Sequence, residues 1–315
     1  MTQSTIDQTM AFILRRRGVL KPYLEMFSPI FRKRDDLLEQ LSSMLTESSP
    51  LRMHREQNGE PILANMPLQG FGPVLRIAAD TMLPVIVRQL NLDDQHLEAF
   101  FNTAPERTLE ELLGWLIGRP LPEALSGKSD TELAYIRTAG EFICSPVLTI
   151  LAQQAAGEMP PWNEEGVWNE GYCPVCGSYP SIGWLDRPAY DEKNAFLAGG
   201  GGKKHLHCPM CGTSWKFRRA VCPNCHSETE GSIEILSVAD APGERLDCCN
   251  KCHAYCPVVD LRELADMPHM DTMSVGMLHL DIAAGMRNLK PLRPSLWNSF
   301  QESPDTEKII KAGCK

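Results

Sequence analysis

The chain has 315 residues, a net charge of -9 and a hydrophobic fraction of 43%. Such a length is natural for two domains, the apolar fraction supports a real core, and the charge argues against nucleic-acid binding by the chain as a whole. No window approaches the ~18 uninterrupted apolar residues of a membrane span, and the apolar stretch at 10–14 is too short, and too early relative to Arg15, Arg16 and Arg17, for a secretory signal. The expected location is cytoplasmic, where 12 cysteines read as metal ligands or redox groups rather than disulfides.

The first half reads as helical. Residues 35–46 place Leu37, Leu38, Leu41, Met44 and Leu45 on one helix face. Residues 71–90 are strongly apolar, with Pro73 suited to a first turn and Pro84 positioned to kink the helix. A short helix is expected over 109–117, ending near Gly118. Ser129 and Glu132 have capping-box spacing ahead of Tyr135, Ile136, Ala139, Phe142 and Ile143. Pro146 should kink that helix or begin another through Gln154. No strand-like alternation precedes residue 165. The segment 157–171, with its Pro-Pro pair and glycines, cannot continue a helix and reads as a linker that Trp162 and Trp168 could dock. Near the other end, Met273, Met277, Leu280, Ala284 and Met286 indicate a closing helix over 270–288, its methionines read as a core face before an adaptable binding face.

Between these regions lie 4 C-x-x-C pairs: Cys173 and Cys176, Cys208 and Cys211, Cys222 and Cys225, Cys249 and Cys252. Two intervening residues let both sulfurs meet one ion across a tight turn, and the flanking Pro and Gly suit such a knuckle. A single pair is weak evidence; this many in one segment is strong evidence for two four-thiolate metal sites. The pairs are separated by 31, 10 and 23 residues. An internal repeat favours consecutive pairing, Cys173, Cys176, Cys208 and Cys211 on one ion and Cys222, Cys225, Cys249 and Cys252 on another. Each repeat is then a knuckle, a strand, a returning strand and a second knuckle. The rival arrangement unites Cys208, Cys211, Cys222 and Cys225 on one ion and the outer pairs on the other.

Tetrahedral thiolate sets suit two ions of zinc or rubredoxin-type iron, and closed coordination argues against metal-assisted hydrolysis. Gly199 to Gly202 read as a hairpin tip, with no phosphate-loop pattern beside them. Cys248 and Cys256 flank the fourth pair, Cys144 sits on an apolar helix face, and Cys314 lies in the tail. A nucleophilic cysteine paired with His226 or His253 is the weaker reading of those histidines, which take the place of the usual glycine.

The run from Cys173 through Cys176, Gly177 and Pro180, then His207-Cys208 with Trp215, then Val221-Cys222 and Cys249-x-x-Cys252 with Tyr255, resembles the formate dehydrogenase accessory protein E family. The helix after Asp271 and the exit from Pro294 to Trp297 fit the same family, so its specific motifs cover about residues 173–297. The resemblance implies a non-enzymatic cytoplasmic maturation factor, required for active formate dehydrogenase, which binds that enzyme's catalytic subunit and carries rubredoxin-type iron on the eight named cysteines. His226, His253, Cys248 and Cys256 depart from its pattern. The implied fold class is α+β. An all-α helical bundle over 1–160 and a linker over 161–171 lead into tandem rubredoxin-like or zinc-ribbon units over 172–262. A closing helix and exit over 263–298 and a polar tail over 299–315 follow.

Two other functions compete. The segment 203–219 holds Lys203, Lys204, Lys216, Arg218 and Arg219, no acid, and the aromatics Trp215 and Phe217. It could meet an acidic client, bind nucleic acid as a zinc ribbon, or simply be a solvated hairpin whose lysines guard a strand edge. The second competitor is a rubredoxin-like electron carrier.

Overall fold

The computed structural model describes residues 4–45, 59–92, 94–187, 202–238, 241 and 243–298. The expected tail over 299–315 with Cys314, Thr46 at the end of the first predicted helix, and most of the glycine tip lie outside the described residues.

The chain begins with α1 (Thr5–Arg16), whose N-terminus is capped by the Ser4 hydroxyl accepting from the Asp7 N–H, and α2 (Lys21–Ser42). Of these, only the second half of α2 was expected. Then come α3 (Gly72–Leu90), α4 (Asp94–Thr103), α5 (Glu106–Leu116) and α6 (Asp130–Ala156). The capping box forms as expected: Ser129 accepts from the Glu132 N–H, and Glu132 accepts in return from the Ser129 N–H. Neither Pro84 nor Pro146 ends its helix. The closing segment is two helices, α7 (Met270–Gly276) and α8 (Leu278–Gly285), instead of one. The break places Gly276 against Ile13 of α1, so close that an added Cβ would collide with that side chain. Met270, Met273 and Met277 are buried, as a core face requires, while Met286 is exposed.

The strands are β1 (Ile182–Leu185), β2 (Lys204–His207), β3 (Ser214–Phe217), β4 (Ile233–Ser237), β5 (Glu244–Cys249), β6 (Ala254–Asp260) and β7 (Lys290–Pro291). The anticipated ribbons are the antiparallel units β1–β3 and β4–β6. They form one continuous sheet in the order β3-β2-β1-β6-β5-β4, with β7 beside β6. The seam is parallel, Gly183 opposite Val258 and Trp184 opposite Val259. Across it runs a buried ion pair, Lys204 Nζ to Asp247 Oδ2 at 2.7 Å, linking β2 to its counterpart β5. The linker lies along the outer edge of the sheet. Trp162 Nε1–H donates to the Ser214 carbonyl at 3.0 Å, and the Lys216 N–H donates to Asn163 Oδ1 at 3.0 Å. That edge is therefore covered by protein and needs no guarding lysines.

Both hydrophobic clusters draw on residues before and after residue 160. The first joins α3, α5 and α6 to Leu206, Trp215 and the cysteines of the first ribbon. The second joins α1 and the start of α2 to β1, β5, β6, α7 and α8. Glu244 on β5, with its side chain only 2% exposed, holds the N-terminal layer in place through Arg17 at 2.8 Å and Arg16 at 3.4 Å.

Candidate metal centres

All four knuckles share one backbone design. The residue after the second cysteine donates its N–H to the carbonyl of the first: Gly177 to Cys173, Gly212 to Cys208, His226 to Cys222 and His253 to Cys249, each at 3.0 Å. Closing that turn needs a left-handed residue, and the four φ angles are 79°, 67°, 54° and 58° in that order. The glycines adopt it without strain. The histidines do so at a cost of about 1–2 kcal/mol each, since a Cβ crowds the following carbonyl there.

These turns bring the sulfurs together in consecutive pairs. Cys173, Cys176, Cys208 and Cys211 form one group and Cys222, Cys225, Cys249 and Cys252 the other, with all ligand atoms of a group within 4.8 Å of one another. Sulfur separations are 3.5 Å for Cys173 to Cys211 and 3.4 Å for Cys176 to Cys208. In the second group they are 3.5 Å for Cys222 to Cys252 and 3.7 Å for Cys225 to Cys249. Tetrahedral sulfurs about 2.3 Å from an ion stand about 3.8 Å apart, whereas a disulfide needs about 2.05 Å. The donor sets thus fit one closed thiolate site each and no disulfide. The rival grouping of Cys208 and Cys211 with Cys222 and Cys225 is not the one the fold builds.

The surroundings of the groups differ. In the first, all four cysteines are buried, and all belong to the helical core cluster. Burial pushes the Cys208 and Cys211 thiols well up, while hydrogen bonding from Cys173, Cys208 and Cys211 pulls Cys176 well down. Four sulfurs in this space cannot all ionise unless a cation joins them. The Thr213 hydroxyl stands 3.0 Å from Cys211 Sγ, and the Val175 N–H donates to Cys173 Sγ at 3.4 Å. In the second group Cys225 is exposed and Cys252 half-buried.

Several neighbours had no role assigned to them from the sequence. Burial works against the charge of Arg293, in the Pro-rich exit, but Glu141 at 2.8 Å, helped by the nearby Cys208 and Cys176, holds its guanidinium pKa above the ordinary value. His207, just before Cys208, places Nε2 at 3.3 Å from Asp271 Oδ1, while Arg34 Nη1 lies 2.5 Å from Asp271 Oδ2. Burial opposes ionisation of Asp271, but Arg34 and His207 together hold its carboxyl well below the usual range. This chain ties the first centre to α2 and α7 and forms part of the wall of a cleft of about 930 Å³.

Among the described residues, the remaining cysteines stay outside both groups. Cys248 and Cys256 are buried, with thiols pushed up to about 12 by burial, and Cys144 is raised by the same cause. His226 Nε2 lies 3.4 Å from Glu170 Oε2, and His253 faces solvent, so each imidazole takes the local role expected of it. The basic segment leaves Lys203, Arg218 and Arg219 at the surface but takes its aromatics and Lys204 inside. Lys204 is 2% exposed, Trp215 0% and Phe217 8%, and Arg218 pairs with Glu228 at 2.6 Å. The stacking platform that nucleic-acid binding would require is inside the protein.

No family model matches the chain. It is 26% identical to the Protein FdhE homolog of Aquifex aeolicus (strain VF5) over 267 residues, which cover 80% of this chain and 82% of that one. The Protein FdhE homolog of Shewanella baltica (strain OS185) is 28% identical over 135 residues, 41% of each chain. That of Haemophilus influenzae (strain PittGG) is 30% identical over 110 residues, 34% of this chain and 32% of the relative. The crystal structure of the FdhE protein from Pseudomonas aeruginosa shares the fold, with a TM-score of 0.57 at 18% identity over 95% of this chain and 98% of that one. With both cysteine groups assembled and an α+β fold in common, the chain is similar to proteins named FdhE over most of its length.

Proposed function

We propose that this protein is a cytoplasmic accessory factor for the maturation of formate dehydrogenase, and that it acts without catalysis by binding that enzyme's catalytic subunit. The observation that carries the reading is the pair of four-cysteine groups in a chain whose relatives are FdhE homologues. The eight ligands would be Cys173, Cys176, Cys208, Cys211, Cys222, Cys225, Cys249 and Cys252, holding two ions of iron or zinc. A bound divalent ion would neutralise the thiolates and cross-link two knuckles. With four sulfurs per ion no coordination position stays open for a substrate, which favours scaffolding over hydrolysis.

The helical bundle over 1–160 and the ribbon region over 172–262 would together form the client surface. Shared hydrophobic clusters support treating them as a single body. Among the described residues no helix is long and apolar enough to cross a membrane, in keeping with cytoplasmic work. The test is affinity capture of the tagged chain from anaerobically grown cells, with metal analysis of the same sample. Recovery of the formate dehydrogenase catalytic subunit, with two ions per chain, is expected. Capture without that subunit defeats the client assignment, and a metal-free but client-bound chain defeats the ligand assignment.

A further inference from the structure

We propose that the two centres divide their labour: the second is the exchangeable one, entered at Cys225, and the first is a locked structural cross-link. The inference rests on the metal-holding part of the proposed function and does not involve the client.

The evidence begins in the knuckles themselves. Between their cysteines the first centre carries Val175 and Met210, at 0% and 2% exposure, and both pack into the helical core. The second carries Asn224 and Lys251 at the same positions, and both are exposed. Its Cys225 is exposed and its Cys252 half-buried, and none of its four cysteines belongs to either hydrophobic cluster. A competing ligand can reach Cys225 from solvent with no part of the fold opening. Reaching Cys173 or Cys208, each 0% exposed, requires α6 and the linker to separate from the ribbon.

The left-handed residues point the same way. The first centre uses glycine at both, whereas the second keeps His226 and His253 there, strained and exposed. A non-glycine residue held in this strained conformation points to a side chain with a role other than stability. The rim around the second centre therefore carries two imidazoles, His253 facing solvent and His226 with Nε2 at 3.4 Å from Glu170 Oε2, as nitrogen donors for an ion on its way in or out.

In the exchange step a donor atom of the incoming ligand bonds to the ion as the Cys225 sulfur–metal bond breaks. The freed thiolate keeps the electron pair. An alkyl halide then traps it: the carbon–sulfur bond forms, the carbon–iodine bond breaks, and iodide leaves.

The experiment uses the full chain loaded with two equivalents of zinc, a colorimetric zinc chelator, and iodoacetamide followed by peptide mass spectrometry. Release should occur in two phases of one equivalent each, the first at least about tenfold faster. The earliest label should fall on Cys222, Cys225, Cys249 and Cys252. The Cys225→Ser chain should lack the fast equivalent and retain the slow one. His226→Gly with His253→Gly should raise the melting temperature while slowing the fast phase, an outcome that relief of strain alone would not give. A single phase, first labelling at Cys173, Cys176, Cys208 or Cys211, or an unchanged fast phase in the histidine variant overturns the proposal. A chain that loads no zinc overturns the ligand assignment along with it.

Discussion

Gly177 and Gly212 complete the turns of the first cysteine group, whose sulfurs are buried in the helical core, and His226 and His253 complete the same turns of the second group in contact with solvent. The backbone hydrogen bonds of the four turns have equal lengths. What distinguishes the groups is everything beyond the sulfurs: apolar against polar residues inside the knuckles, and a neighbouring Arg293 against an open rim. The lesson is that C-x-x-C specifies a binding turn, whereas the two residues inside it and the one after it decide whether the site becomes part of a core.

That contrast predicts its own largest test. Cys173→Ser with Cys176→Ser should remove a cross-link from the main core, where a structural thiolate site contributes on the order of 10 kcal/mol of folding free energy. Loss of the cooperative melting transition, read by circular dichroism, is the expected result. The matching pair Cys222→Ser with Cys225→Ser should leave the helical signal and the transition in place. Equal damage from both would erase the distinction.

The next effect lies between the ribbons. Lys204→Met strands Asp247, and leaving one buried charge without its partner costs about 3–5 kcal/mol. Arg245, 3.0 Å from Asp247, should hold the loss near the lower end. Urea denaturation should show it, and the double variant Lys204→Met with Asp247→Leu should recover most of the stability. If the double variant is as weak as the single, the pair is more than a replaceable bridge.

Asp281 gives an effect that depends on pH and is small within any one pH unit. Burial raises its carboxyl to about 7, against the hydrogen bond from the Tyr255 hydroxyl. The native state then holds a proton that the unfolded chain releases above its ordinary value of 3.8. Stability from this group is complete below that value and falls by up to about 1.4 kcal/mol per pH unit as pH rises towards 7. Asp281→Asn should flatten the slope in denaturation curves taken across that window. The smallest effect is expected from His226→Gly and His253→Gly, each gaining under about 1 kcal/mol, because relief of the left-handed strain is partly offset by glycine's chain entropy.

The sequence made the local features legible. The knuckles follow from short-range turn chemistry, and the α6 start from a side chain reaching three residues along. Consecutive pairing was recoverable from the repeat. The parallel seam was not, because β1 is only 4 residues long and is buried on both faces, so it carries no alternation from which to choose a neighbour. Lys204 read as a surface lysine since its partner lies 43 positions away. Arg34 and Asp271, 237 positions apart, were invisible for the same reason. The helix α1 and the first half of α2 escaped because their apolar residues are interspersed with charges and with Pro22 and Pro29, and their partners lie on α7 and the sheet.

The packing of α1 against α7 also has a bearing on synthesis. The His269 N–H bonds to the Thr9 hydroxyl across 260 positions. At about 5–20 residues per second, a ribosome needs roughly 13–50 s to deliver the second partner after the first. Throughout that interval the apolar side chains Ile6 and Ile13 have emerged while the surface that buries them is still unmade. For a newly made chain, this opening helix is the segment that most needs shelter, and its docking marks the moment at which the molecule closes.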